Sequence, residues 1–172
     1  MKDVLVPLPT RRATTRLAAR VAPLLRASDL LVLSGPLGSG KTFFTRALCR
    51  VLGLPASVAV TSPTFTLVHE LETTPPIAHA DLYRLDSPDA VRELGLLAMR
   101  DDGFVVVVEW GEPFVDALGG EALVIDFAVD PHRQALLRAV GTGATARWAG
   151  PMVSLRLGGS SPNFGFRTSE SV

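Results

Sequence analysis

Gly35-Pro36-Leu37-Gly38-Ser39-Gly40-Lys41-Thr42 meets the pattern G-x-x-x-x-G-K-[ST], and what flanks it decides the fold. Directly before it runs Leu30-Leu31-Val32-Leu33, apolar at every position. Such a run predicts a strand covered on both faces, as in a parallel sheet flanked by helices. Directly after it, Lys41 to Leu52 predicts a helix closed by Gly53. Strand, glycine loop and helix in that order form a phosphate-binding unit. The glycines let the backbone curl until successive N–H groups face phosphate oxygens, and the helix adds its free first-turn amides and positive dipole end. Lys41 is spaced to reach the β- and γ-phosphates, and the Thr42 hydroxyl to complete an Mg²⁺ shell. Lys2 and Lys41 are the only lysines of the chain, so one of the two falls where a compact ammonium is wanted.

Outward from this unit the pattern continues as α/β. Residues 3 to 8 predict a short edge strand. Thr10 to Ala27 predicts a helix from Leu17, Val21, Leu24 and Leu25, with Thr10 as N-cap and Pro23 shortening or kinking it. Thr64 to Leu71 and Ile77 to Leu82 have strand character, and Pro88 to Leu96 reads as a helix capped by Ser87. Phe104-Val105-Val106-Val107-Val108 is the clearest buried strand. Another strand is expected at 122 to 129, and a last strand or short helix at 134 to 140. The expected fold is an α/β three-layer sandwich of P-loop NTPase type, its mostly parallel central sheet flanked by helices. Residues 1–141 are read as that domain. Residues 142–172, rich in Gly, Ser, Thr and Pro, are read as a flexible tail.

A phosphate loop needs a carboxylate for the metal and a group to orient water. In a parallel sheet both come from the carboxyl ends of strands beside the loop. Asp81 ends Ile77-Ala78-His79-Ala80, and Glu109 ends the valine strand. An acid capping an apolar strand must escape, pair or bind a cation. Asp81 and Glu109 are therefore the catalytic candidates, with Glu109 and Thr42 expected at the metal. Thr61-Ser62-Pro63-Thr64 supplies hydroxyls where a γ-phosphate-sensing loop would lie. Trp110 either stacks on a ligand or packs. His69, His79 and His132 lack metal-ligand spacing.

Composition sets outer bounds. Of 172 residues, 47% are hydrophobic and 20% charged, which suits one globular domain. Lys+Arg and Asp+Glu are each 17, so no overall positive field concentrates nucleic acid. The N-terminal residues show no secretory pattern, no run reaches membrane-span length, and a lone Cys49 fits a reducing compartment, so a cytoplasmic location is expected.

Together the segments resemble one family, the TsaE (formerly YjeE) P-loop ATPases of bacterial tRNA threonylcarbamoyladenosine formation. The matching text is the loop Gly35 to Thr42, then Ser62-Pro63-Thr64-Phe65-Thr66-Leu67-Val68, His79-Ala80-Asp81-Leu82-Tyr83-Arg84-Leu85 and Val108-Glu109-Trp110, within about residues 10 to 141. Departures are Pro36 where the family has Asp, Phe43 where it often has a second Thr, and Leu71 where a Tyr commonly stands. The resemblance implies slow Mg²⁺-dependent ATP hydrolysis in support of TsaD and TsaB, which modify the adenosine beside the anticodon. It implies contact with tRNA only through that complex, and none with DNA or membrane. It implies nucleotide contacts from Pro36, Leu37, Gly38, Ser39, Gly40, Lys41, Thr42 and Phe43, with Ser62, Thr64 and Trp110. It makes Asp81 and Glu109 the essential acids, Glu109 on the Mg²⁺ side. A P-loop small-molecule kinase is the alternative, although no lid-like arginine cluster stands between 112 and 141. A GTPase is disfavoured because no lysine follows Lys41 to build a guanine-reading Asn/Thr-Lys-x-Asp.

Overall fold

Leu30–Ser34 is β2, and its leucines and valine are buried because it lies inside a seven-stranded sheet. The structure, a computed structural model, describes residues 3–156. The other strands are β1 (Val4–Pro7), β3 (Val68–Leu71), β4 (Ile77–Asp81), β5 (Val105–Glu109), β6 (Ala122–Ala128) and β7 (Gln134–Val140). The helices are α1 (Arg11–Val21), α2 (Lys41–Val51), α3 (Pro88–Glu93), α4 (Leu96–Asp101) and α5 (Thr142–Arg156). Strand order is β1-β7-β6-β2-β5-β4-β3. The inner four, β6, β2, β5 and β4, run parallel, while β3, β7 and β1 add antiparallel edges. The parallel centre brings the carboxyl ends of β2, β4 and β5 to one edge, where ligands of such sheets bind.

Alternate residues of each inner strand feed two separate cores. Leu31, Leu33, Val105, Val107, Leu123 and Ile125 pack under α1, α2 and α5. Leu30, Val32, Val106, Val108, Ala122 and Val124 pack under α3, α4 and the short 3-10 turns at 112–114 and 116–118. That is the expected three-layer arrangement.

Several boundaries differ from expectation for identifiable reasons. The first helix is α-helical only to Val21 and tightens into a 3-10 turn over Ala22–Leu24, where Pro23 has no N–H to give. The strand expected from Thr64 begins at Val68, because Leu67 N–H bonds back to Pro63 C=O and closes a turn, with Leu67 at φ 65°. The helical stretch after Ser87 breaks at Gly95 (φ 71°) and restarts as α4, which the sequence reading lacked.

The largest correction concerns the tail. Residues 142–156 form α5, not a loose segment, and they belong to the main core. Ala144, Trp148, Met152 and Leu155 recur at helical spacing and are all buried. The Glu121 carboxylate accepts from Ala144 N–H at the start of α5. At its other end Arg20 donates to the carbonyls of Ser154 and Leu155. The part of the expected tail from 157 to 172 lies outside the described residues. Among the described residues, no helix is long and apolar enough to cross a membrane.

Candidate functional site

The loop between β2 and α2 turns sharply at Gly35, where φ is 126° and a Cβ would run into the backbone carbonyl of Phe127. Only glycine fits there. The turn ends at Gly40 (φ 111°), from which α2 starts with Lys41. Lys41 is buried, and its Nζ donates to the carbonyls of Gly35 at 2.7 Å and Pro36 at 3.0 Å. The same ammonium lies 4.0 Å from the centroid of the Trp110 ring. Burial pushes the Lys41 ammonium below its ordinary pKa, opposed by the charges of Glu109 and Asp81. Trp110 reaches this position through a left-handed backbone (φ 63°), strained for a bulky residue, while its N–H is held 3.1 Å from Leu33 C=O.

Strand register brings the two acids together. Asp81 and Glu109 are cross-strand partners at the ends of β4 and β5, and Glu109 also pairs with Leu33 of β2. Both are buried, at 4% and 3% exposure. Thr42 Oγ1 donates to the Glu109 carboxylate, 2.8 and 3.0 Å from its two oxygens. His79 Nε2 lies 2.9 Å from Glu109 Oε1. Asp81 is held by a different set. Its Oδ2 accepts from Ser62 and, at 3.0 Å, from Thr64, while Oδ1 accepts from Tyr83 N–H at 3.0 Å.

These groups open into one cleft of about 720 Å³. Leu37, Gly38, Ser39, Gly40, Lys41, Thr42, Phe43, Ser62, Thr64, Asp81, Glu109 and Trp110 all line it. Pro36 does not line it; it takes part through its carbonyl on Lys41. The lining also includes Arg11, Thr14, Tyr83 and Arg133, none of which is among the site residues expected from the sequence. Arg133 reaches across from the β6–β7 connection to the carbonyls of Ser39 (3.3 Å) and Gly38 (3.4 Å). Arg11 stands over the Phe43 ring at 5.6 Å. Nothing local in the sequence marks Arg133, since its approach depends on how the sheet is ordered. His79 was legible: it stands two residues before Asp81 and so shares its face of β4.

The donor set fits a nucleotide with its metal. Among the described residues, Lys41 has carbonyls but no carboxylate in hydrogen-bond contact, and the buried Ser39 hydroxyl has no partner. An anion seated on the loop would satisfy both. The adjoining Thr42 and Glu109 are hard oxygen donors of the kind Mg²⁺ takes one or two at a time beside phosphates.

Residues 8–136 match the family model described as threonylcarbamoyl adenosine biosynthesis protein TsaE. The tRNA threonylcarbamoyladenosine biosynthesis protein TsaE of Streptomyces coelicolor is 44% identical over 148 residues, covering 83% of this chain and 98% of that protein. The protein of the same name from Bacillus subtilis is 36% identical over 131 residues, covering 74% and 80%. The crystal structure of Bacillus subtilis YdiB superposes with a TM-score of 0.69 at 27% identity, covering 89% of this chain and 96% of that one.

Proposed function

This chain belongs to the TsaE family, and on that premise we propose that it is an Mg²⁺-dependent ATPase serving tRNA threonylcarbamoyladenosine formation. In this reading it works in the cytoplasm with TsaD and TsaB, and its slow hydrolysis resets or gates their complex between turnovers. The single observation that carries the ATPase reading is the contact of Thr42 with Glu109 beside a Lys41 that, among the described residues, lacks an anionic partner in hydrogen-bond contact. A kinase is not favoured, since the TsaE model spans residues 8–136.

Each residue has a task in that reading. Lys41 and the loop amides bind the phosphates, and the buried position of Lys41 strengthens its pull by excluding water. Thr42 and Glu109 would hold Mg²⁺, whose chemistry when bound is to neutralise charge at phosphate oxygens. His79 keeps the Glu109 carboxylate aimed at Thr42. Asp81 orients the attacking water or relays the state of the Ser62–Thr64 loop, which it holds through both hydroxyls.

The deciding experiment reconstitutes tRNA modification with TsaB and TsaD, with and without this chain. A higher multiple-turnover yield with ATP and Mg²⁺ is expected, and an unchanged yield would refute the function. Incubation with candidate metabolites should show no stoichiometric phosphoryl transfer; finding it would restore the kinase reading.

A further inference from the structure

The zero net charge conceals a sharp segregation. Residues 4–69 carry seven arginines and Lys41 against one acid, Asp29. Residues 70–130 carry fourteen acids against three arginines. The helices and 3-10 turns that cover the two faces of the sheet divide in the same way. None of α1, α2 and α5, which cover one face, contains an Asp or Glu. The other face carries Asp89, Glu93 and Asp101 on α3 and α4, with Glu112 and Asp116 in the 3-10 turns. Asp29 pairs with Arg147 of α5 at 2.8 Å and not with an arginine of α1 or α2.

On α1, Arg12, Arg16 and Arg20 recur every four residues and so form one stripe. On α2, packed beside α1, Arg46 and Arg50 repeat the spacing. Like charges four apart on a helix repel. Among the described residues none of these five makes an ion pair. Arg20, Arg46 and Arg50 are steadied by backbone carbonyls of Leu155, Val60 and Pro55, which orient a guanidinium without neutralising it. Arg12 and Arg16 are exposed and, among the described residues, make no side-chain hydrogen bond. The stripe steps by roughly 6 Å per arginine, the scale of successive phosphates along an RNA strand.

We propose that the α1–α2 face is an RNA-binding surface that grips the phosphate backbone through Arg12, Arg16, Arg20, Arg46 and Arg50. Phosphate suits planar, permanently charged guanidinium groups, and an unbroken single-sign face suits an unbroken row of phosphates. An acidic protein fits less well. Protein interfaces centre on buried apolar anchors, whereas α1 exposes no large apolar side chain and α2 only its terminal Val51. Contact with tRNA is then direct, where the sequence reading had expected it only through partners. None of the five arginines lines the P-loop cleft, so the proposal stands or falls apart from the nucleotide reading.

The test measures fluorescence anisotropy of an unmodified tRNA transcript and an unrelated structured RNA with the full chain, from about 50 to 300 mM salt. Both RNAs should bind, with log K falling linearly in log salt at a slope near that for three or more neutralised phosphates. The Arg12→Glu/Arg16→Glu variant should bind about tenfold or more weaker at low salt, with a slope flatter by about two. Its thermal midpoint and nucleotide binding should be unchanged, because both side chains are exposed. Arg92→Glu on α3 is the control for net charge and should change little. Absent or salt-insensitive RNA binding, or equal binding by the double variant, overturns the proposal. So does tighter binding to polyglutamate than to either RNA, which would mark an acidic protein partner. Low-salt self-association without RNA binding, lost in the double variant, overturns it in favour of a second copy of the chain.

Discussion

Glu109 accepts from Thr42 and bonds to His79, so a carboxylate that ends an apolar strand is fully engaged inside a site it shares with Lys41. Glu109→Gln keeps the shape and removes the charge. Turnover of ATP should fall by roughly 10²-fold or more, as when a preorganised electrostatic group is lost, while nucleotide binding in EDTA stays close to that of the parent. Lys41→Ala should do the reverse and weaken binding itself, by about 2–4 kcal/mol in equilibrium dialysis, because a buried charge-assisted donor is lost. Equal turnover by Glu109→Gln and the parent would remove Glu109 from the mechanism. Cys49 supplies a contrasting case, a titratable group with no role in the cleft. Burial pushes its thiol up to about 12 from 9.0. Below pH 9 both folded and unfolded chains keep the proton and nothing is lost. Between about pH 9 and 12 the unfolded chain ionises first, so it binds fewer protons and stability falls as pH rises. Denaturant melts should show that decline, at most about 1.4 kcal/mol per pH unit, and Cys49→Ala should flatten it.

At the scale of elements, α5 shows how a helix can hide. Its buried positions Ala144, Trp148, Met152 and Leu155 are helically spaced, but Gly143, Gly150 and Pro151 interrupt them with residues that disfavour helix. Tertiary burial overrides that local preference. Trp148 is 2% exposed and packs in the same core as β6, β7 and α1. Trp148→Ala should therefore destabilise the whole domain by about 3–5 kcal/mol, whereas Val153→Ala, on the exposed side, should change stability by less than about 0.5 kcal/mol. Chemical denaturation of the two variants checks this; a Trp148→Ala protein as stable as the parent would mean that α5 is an appendage. α2 and β5 were legible for the opposite reason. Their local signals, a glycine turn before a helix and five apolar residues in a row, agree with the tertiary environment.

For the molecule as a whole, the parallel centre could be read from apolar runs, because a strand buried on both faces needs no polar alternation. The antiparallel edges could not, since β1 and β3 are only four residues each, and β1 finds its partner β7 about 130 residues along the chain. The site divides the same way. Lys41, Thr42, Asp81 and Glu109 follow from strand ends and a loop pattern, whereas Arg133 arrives from the β6–β7 connection at the opposite side of β2. The cleft consequently spans α1, α2, the Ser62–Thr64 loop, β4, β5 and that connection. A ligand held by all of them binds the folded chain alone and must stabilise it globally. At 100 times its Kd, Mg²⁺-ATP should add about 2.7 kcal/mol, which for a domain of this size raises Tm by about 5–10 °C. Lys41→Ala should lose most of that shift without a comparable loss of stability in the absence of nucleotide. Scanning calorimetry of both proteins with and without Mg²⁺-ATP decides it. An equal shift in the variant would place nucleotide somewhere other than the loop between β2 and α2.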